Sequence, residues 1–192
     1  MKILIVGAAG VLGRAVIPHL AGHEVVGTTR DPARLAVIQG LGATGVLCDV
    51  YQPEALDRVA RAASPDVVVN LMTDLAGGSR EANARIRREG GPVVVRAACA
   101  AGARRLVVES VAFAASGEGA AAVAELEAGA RGSGMEALVL RFGRLWGPGT
   151  WSPSTPEAAP TINVVEAGRR AAPLILAAPP GTYDIADRGD SR

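Results

Sequence analysis

Residues 3–13 read Ile3-Leu4-Ile5-Val6-Gly7-Ala8-Ala9-Gly10-Val11-Leu12-Gly13. The first four residues form an apolar run without alternation, the pattern of a strand buried on both faces in a parallel sheet. Glycines then recur at every third position. The first permits a tight strand-to-helix turn, the second lets backbone approach a pyrophosphate, and the third lets helix and strand pack closely. The start of the next helix offers unpaired N–H groups and partial positive charge to phosphates. Three glycines alone are a weak signal. Their place between a buried strand and a helix is the context the dinucleotide-binding motif requires.

Outward from this turn, strand and helix patterns alternate. A helix is predicted through about residue 20, then strands at 23–28 and 45–48. Asp31-Pro32 opens a helix with a capping carboxylate and a residue suited to its first turn. A third helix spans 52–62, followed by a strand at 66–71 and a long helical stretch over 80–101, open to interruption near Gly90-Gly91-Pro92. A fifth strand is predicted at 105–110, an alanine-rich helix at 120–130 and a sixth strand at 136–142. Six strands with helical crossovers imply an α/β fold with a doubly wound parallel sheet, the Rossmann fold. Past Trp146 the composition shifts: residues 147–160 hold four prolines and read as a loop. A short helix over 164–172 and one more strand at 182–185 fit what remains. The expected organisation is a dinucleotide-binding domain over 1–150 and a reduced C-terminal lobe over 151–192 packed on it.

The chain has 192 residues, 49% of them hydrophobic and 3% aromatic, with 20 basic and 19 acidic side chains. That is enough apolar material for one sizeable core, built from Val, Leu, Ile and Ala. The near-zero net charge gives no field favouring nucleic acid or an anionic membrane. No apolar run has membrane-spanning length free of Gly, Pro or charge, and no signal-peptide pattern opens the chain. The expected compartment is cytoplasmic. Cys48 and Cys99 sit in apolar runs and read as small buried hydrophobes. No His/Cys/Asp cluster has metal-ligand spacing, so no metal is expected.

The second strand ends Gly27-Thr28-Thr29-Arg30-Asp31. An NAD site wants a carboxylate at this tip for the ribose 2′-OH, whereas an arginine suits the 2′-phosphate of NADP. Thr29 and Arg30 stand there, which favours NADP over NAD. The alternative is that Arg30 is a solvated loop residue and Asp31 takes the ribose. Asp49, at the third strand tip, is placed for the adenine amino group. The expected cofactor-binding set is Gly7, Ala9, Gly10, Val11, Leu12, Gly13, Thr29, Arg30, Asp49, Val50, Leu71 and Met72.

The stretches GAAGVLG (7–13), GTTR (27–30), CDV (48–50), VVVNLMTDL (67–75), AAGARRLVVESVAF (100–113) and LVLRFGRLWGPGTW (138–151) resemble the extended short-chain dehydrogenase/reductase family, in its NAD-dependent epimerase/dehydratase branch. The resemblance covers roughly residues 1–151, and GTYDIAD (181–187) is similar to the family's substrate-domain strand. It implies a nicotinamide dinucleotide cofactor, a small-molecule substrate and a homodimer built on the helices near 80–101 and 120–130. It also implies a Tyr-x-x-x-Lys pair after the fifth strand, with a serine before it to polarise a substrate carbonyl. Ser110 matches the serine. If Glu127 is the family's helix glutamate, the tyrosine falls on Gly119 and the lysine on Val123. The only lysine is Lys2, and the only tyrosines are Tyr51 and Tyr183. The usual acid–base pair is absent, and the segments between Phe113 and Ala120 and between Trp151 and Thr161 are shorter than in the family.

Ligands of open α/β sheets sit at the carboxyl ends of the strands. The polar side chains expected there are Thr73, Asp74, Ser110, Glu118, Arg141 and Arg144, with Trp146 and Trp151 as walls or core. The candidate catalytic residues are Asp74 as a base and Ser110 and Thr73 as hydrogen-bond donors; Asp74 equally fits a helix cap. Three readings follow: an NADP-dependent oxidoreductase or epimerase-like enzyme, a non-redox cyclase, isomerase or dehydratase on the same scaffold, and a non-catalytic NADP-binding sensor.

Overall fold

The computed structural model describes residues 1–73 and 79–187. Nine strands and seven α-helices alternate along them. Strands β1 (Lys2–Val6), β2 (Glu24–Thr29), β3 (Thr44–Leu47), β4 (Val67–Asn70), β5 (Arg105–Val111), β6 (Glu136–Phe142) and β9 (Gly181–Ile185) form one sheet in the order β3-β2-β1-β4-β5-β6-β9. Every pairing in it is parallel. The expected doubly wound sheet is present, and the strand anticipated near 182–185 closes its far edge. The short pair β7 (Arg144–Trp146) and β8 (Thr161–Asn163) forms a separate parallel ribbon. At three residues each, these strands are too brief to show a period in sequence.

The sheet is buried on both faces because its strands feed two cores. Ile3 and Ile5 of β1 join Val67 and Val69 of β4 and Leu138 and Leu140 of β6 on one side. Leu4 and Val6 join Val68 and Val139 on the other. The first face is covered by α1 (Val11–Val16), α2 (Leu35–Gly40) and α7 (Val164–Ala177), which contribute Val16, Ile38 and Ile175. The second is covered by α3 (Pro53–Ala63), α5 (Gly91–Ala100) and α6 (Gly117–Arg131), through Leu56, Val94 and Leu126. Within residues 151–187, α7 packs against α1 and β9 lies beside β6.

Several expectations are corrected by local physics. The first helix turns 3₁₀ at Ile17–Leu20, where Pro18 falls. The helical stretch from residue 80 is broken as anticipated, by a π-helical turn at Ile86–Gly90 between α4 (Arg80–Arg85) and α5. Pro92 has no N–H for the carbonyl of Arg88, so the ladder slips there. Helix α7 runs through Pro173 to Ala177 instead of stopping at 172. Burial of Ala171, Ala172 and Ile175 outweighs the lost hydrogen bond. Cys48 is buried, but Cys99 is exposed, and both are free thiols.

Candidate functional site

The strand order reverses between β1 and β4, and a cleft of about 290 Å³ opens there at the carboxyl ends. Its wall includes Gly7, Ala9, Gly10, Thr29, Arg30, Asp49, Val50, Leu71, Met72 and Thr73. Val11, Leu12 and Gly13, expected at the cofactor, are not part of that wall. Leu12 is buried in the core. A Cβ on Gly13 would stand 2.2 Å from the Ala8 carbonyl oxygen, so this glycine serves helix–strand packing. Gly7 adopts φ +88°, the left-handed conformation the turn demands. A Cβ on Gly10 would meet only the Gly7 carbonyl oxygen, at 3.0 Å. The space over Gly10 is therefore left for something other than protein. Helix α1 has no side-chain cap at Gly10. This cradle fits a pyrophosphate.

At the tip of β2, Thr29 Oγ1 accepts from the Asp31 N–H at 3.2 Å. The Asp31 carboxylate accepts from the Ala33 N–H at 2.9 Å and pairs with Arg34 at 3.4 Å. Arg30, Asp31 and Arg34 all line the cleft wall. Arg34 escaped the sequence reading because it lies inside the next helical turn, whose bend brings it back over the cleft. Asp49 accepts from the Tyr51 N–H at 3.1 Å. Cys48 also lines the cleft, and burial pushes its thiol up from the ordinary range.

A second cavity, of about 300 Å³, lies past the carboxyl ends of β5, β6 and β9 against α6. Val111, Ala112, Phe113, Ala115, Ala120, Val123 and Ala124 line it together with Glu127, Arg141 and Asp184, so its wall is as polar as it is apolar. Val123, the position matched to the family lysine, faces this cavity. A Cβ on Gly119, matched to the tyrosine, would meet nothing within 4 Å.

Ser110, expected as a carbonyl-polarising donor, is fully buried and donates to Glu127 Oε1 at 2.6 Å. Arg141 donates to both oxygens of the same carboxylate at 2.8 and 2.7 Å, and Arg131 adds a bond at 2.8 Å. The Arg141 hydrogen bond leads in holding the Glu127 carboxyl down at about 2. Ser110 points into this network, whose Glu127 and Arg141 line the cavity, and its neighbour Val111 lines the cavity directly. Thr73 reaches the cleft wall. Asp74 lies outside the described residues. One feature went unread in sequence: Glu109, a charge inside the apolar run of β5, forms a buried pair with Arg87 at 3.1 Å. Burial raises its carboxyl above the ordinary range. Among the described residues no group of three His, Cys, Asp or Glu side chains could hold a metal ion, and no helix is long and apolar enough to cross a membrane.

The model of the NAD dependent epimerase/dehydratase family matches residues 3–127. A curated Streptomyces protein named 3-diazoavenalumate denitrifying reductase is 37% identical over 180 residues, covering 78% of this chain. The chain spans 58% of that relative's length. Among solved structures, the Bordetella bronchiseptica enzyme WbmH in complex with NAD+ superposes with a TM-score of 0.79 at 17% identity, covering 97% of this chain and 75% of that one. WbmG of the same organism, with NAD and UDP, gives 0.78 at 21%, covering 97% and 72%. The DesIV dTDP-glucose 4,6-dehydratase double mutant of Streptomyces venezuelae, with NAD and DAU bound, gives 0.75 at 20%, covering 96% and 75%. At these identities the solved structures establish the fold.

Proposed function

The chain belongs to the NAD dependent epimerase/dehydratase family, and from that premise we propose that it is a nicotinamide-dependent reductase whose reaction needs no protein acid. The observation that carries this reading is the cavity beyond β5, where Val123 stands at the position matched to the family lysine. Valine and alanine line it at Val111, Val123 and Ala120, and Ser110 is turned away into a buried bond with Glu127. Reduction of an ordinary carbonyl requires a proton donor at oxygen. A bound reduced nicotinamide supplies hydride, and replacement of N₂ on a diazo-bearing aromatic carbon by hydride consumes no proton. The C–H bond forms, the C–N bond breaks and N₂ leaves. A diazo compound is the acceptor class in the name of the 37%-identical relative.

In this reading, Gly7 and Gly10 admit the pyrophosphate, Asp49 meets the adenine, and Arg30 and Arg34 favour a 2′-phosphate, so NADP(H) is the preferred cofactor. Thr73 closes the cleft on the nicotinamide side. The exposed alanine face of α6 is the surface through which we propose a homodimer.

The test is a single-turnover incubation of the chain with an arenediazonium salt and nicotinamide deuterated at the transferring carbon. The expected result is N₂ release with deuterium on the product carbon that carried nitrogen. Nitrogen release without label transfer, or nicotinamide binding with no turnover of the diazonium, overturns the reading.

A further inference from the structure

Arg87 and Glu109 form an ion pair at 3.1 Å with side chains only 5% and 7% exposed. Ion pairs elsewhere on the chain, Arg104 with Glu136 and Arg170 with Glu166, keep their side chains 30% or more exposed. One Arg87 nitrogen donates to both Glu109 oxygens, at 3.2 and 3.1 Å. The Arg87 Nε is buried without a partner, and burial raises the Glu109 carboxyl in spite of the cation beside it. Two charges taken out of water return their desolvation cost only when every donor is met, and well-packed apolar residues of similar size hold a fold as well or better. Stability is therefore not what this pair supplies.

Its place is the back of the cofactor cleft. Glu109 follows Val108, which pairs with Asn70, the last residue of β4. It stands where β4 leaves the sheet to become the cleft wall of Leu71, Met72 and Thr73. Arg87 lies in the π-helical turn at Ile86–Gly90, directly after Ile86, which lines the same cleft. The far end of that turn closes on the wall too. A Cβ on Gly90 would stand 3.3 Å from the Ile86 and Met72 side chains and 3.4 Å from Val50. All three of those side chains line the cleft, with Val50 next to Asp49 in the chain.

A π turn holds more residues than the α-helical turn it replaces, and such turns recur at functional sites. Slipping by one residue to the α-helical register rotates side chains by about 100°, which carries Ile86 off the wall. A directional contact between charges separates the two registers, because only one sets Arg87 on Glu109. Apolar contacts tolerate both.

We propose that the buried Arg87–Glu109 pair is a positioning device for the cofactor: it fixes the π-helical register that sets Ile86, with Met72 and Val50, as the apolar wall against which the adenine lies. This rests on reading the cleft as the dinucleotide site with Asp49 at its adenine end. Arg87 and Glu109 act through Ile86 and not by touching the nucleotide.

The deciding variant is Arg87→Met combined with Glu109→Leu, which removes both charges and keeps apolar bulk. It is expected to melt cooperatively within a few degrees of wild type. Calorimetric titration of the 192-residue chain is expected to show NADPH and NADH both bound at least about tenfold more weakly, the factor by which the competent register is depopulated. The ratio between the two nucleotides should not change, because the pair is remote from the 2′ position. Arg87→Lys keeps a cation over Glu109 and should bind both within about threefold of wild type. If the double variant does not fold, amide hydrogen exchange of the wild type decides: exchange at residues 86–90 is expected to slow at least about tenfold on saturation with NADPH. Wild-type affinity in a folded double variant, a loss confined to one nucleotide, or exchange at 86–90 untouched by NADPH overturns the proposal. A wild type that binds neither nucleotide fails the cofactor reading and this proposal together, whereas wild-type binding that survives the double variant fails this proposal alone.

Discussion

Ser110 donates its hydroxyl to Glu127 at 2.6 Å inside a carboxylate cage completed by Arg131 and Arg141. A serine so placed holds α6 to β5 and has no lone donor left for a substrate. Ser110→Ala is therefore expected to act on stability. A hydrogen bond to a charged group contributes ~1.5–3 kcal/mol, so the variant's Tm should fall by roughly 3–10 °C. Turnover per folded molecule should stay within about threefold of wild type, against the roughly hundredfold loss typical of an oxyanion donor. A large fall in turnover with an unchanged melting curve would return Ser110 to the chemistry.

The same carboxylate gives a pH dependence with a definite sign. Glu127 is held at about 2 in the folded chain, below its ordinary value of 4.5. A depressed folded value means the unfolded chain binds more protons as pH falls, so the stabilisation is full above about 4.5 and is lost toward 2. Glu166 is lowered similarly by Arg169 and Arg170, so the total acid response has more than one source. The informative quantity is the difference between wild type and Glu127→Gln in urea midpoint. It should be largest near neutral pH and shrink below about 4.5. A difference independent of pH would mean that the carboxylate charge is not what the cage holds.

The cofactor half of the molecule was legible because its signals are local. A buried strand, three glycines and a helix start lie within eleven consecutive residues, 3–13. Strands β1 and β4 announce themselves as unalternating apolar runs. The second half of the site is assembled from contacts far apart in the chain. Ser110 meets Glu127 across 17 positions, and Arg144 lies over Phe113 from a different strand. Sequence placed Arg144 at the carboxyl edge but gave no sign of its ring partner. It read Ser110 as a hydrogen-bond donor and gave no sign of Val111, one residue away, on the cavity wall. A shift of one position in a strand exchanges the two faces, and motif matching alone does not decide between them.

The glycine turn separates two causes of failure that a motif treats as one. A Cβ on Gly13 would stand 2.2 Å from the Ala8 carbonyl oxygen, whereas one on Gly10 would have only Gly7 oxygen nearby, at 3.0 Å. Gly13→Ala should therefore damage folding itself, read as loss of a cooperative melt or of soluble protein. Gly10→Ala should fold, with a modest fall in Tm, and bind nucleotide at least about tenfold more weakly. Normal binding by folded Gly10→Ala would place the phosphates elsewhere.

Helix α6 presents Ala121 and Ala128 to solvent. Small side chains allow close approach of a second helix. Light scattering at micromolar concentration is expected to give twice the chain mass, and Ala128→Arg the mass of one chain. A monomeric wild type removes the proposed homodimer.

Cofactor choice turns on the wall at the tip of β2. The Asp31 carboxylate accepts from the Ala33 N–H and pairs with Arg34 at this tip. Arg30 and Arg34 line the same wall and bring positive charge to the place a 2′-phosphate would occupy. NADPH should therefore bind more tightly than NADH. One charge-assisted contact is worth ~1.5–3 kcal/mol, or about one to two decades in affinity. Arg30→Ala and Arg34→Ala should each narrow the gap by weakening NADPH while leaving NADH nearly unchanged. The two variants share one phosphate, so the double variant should lose less than the sum of the single losses. Calorimetric titration of both nucleotides into all four proteins gives the answer. Equal wild-type affinities, or a preference that survives the double variant, would show that Arg30 and Arg34 do not select the cofactor.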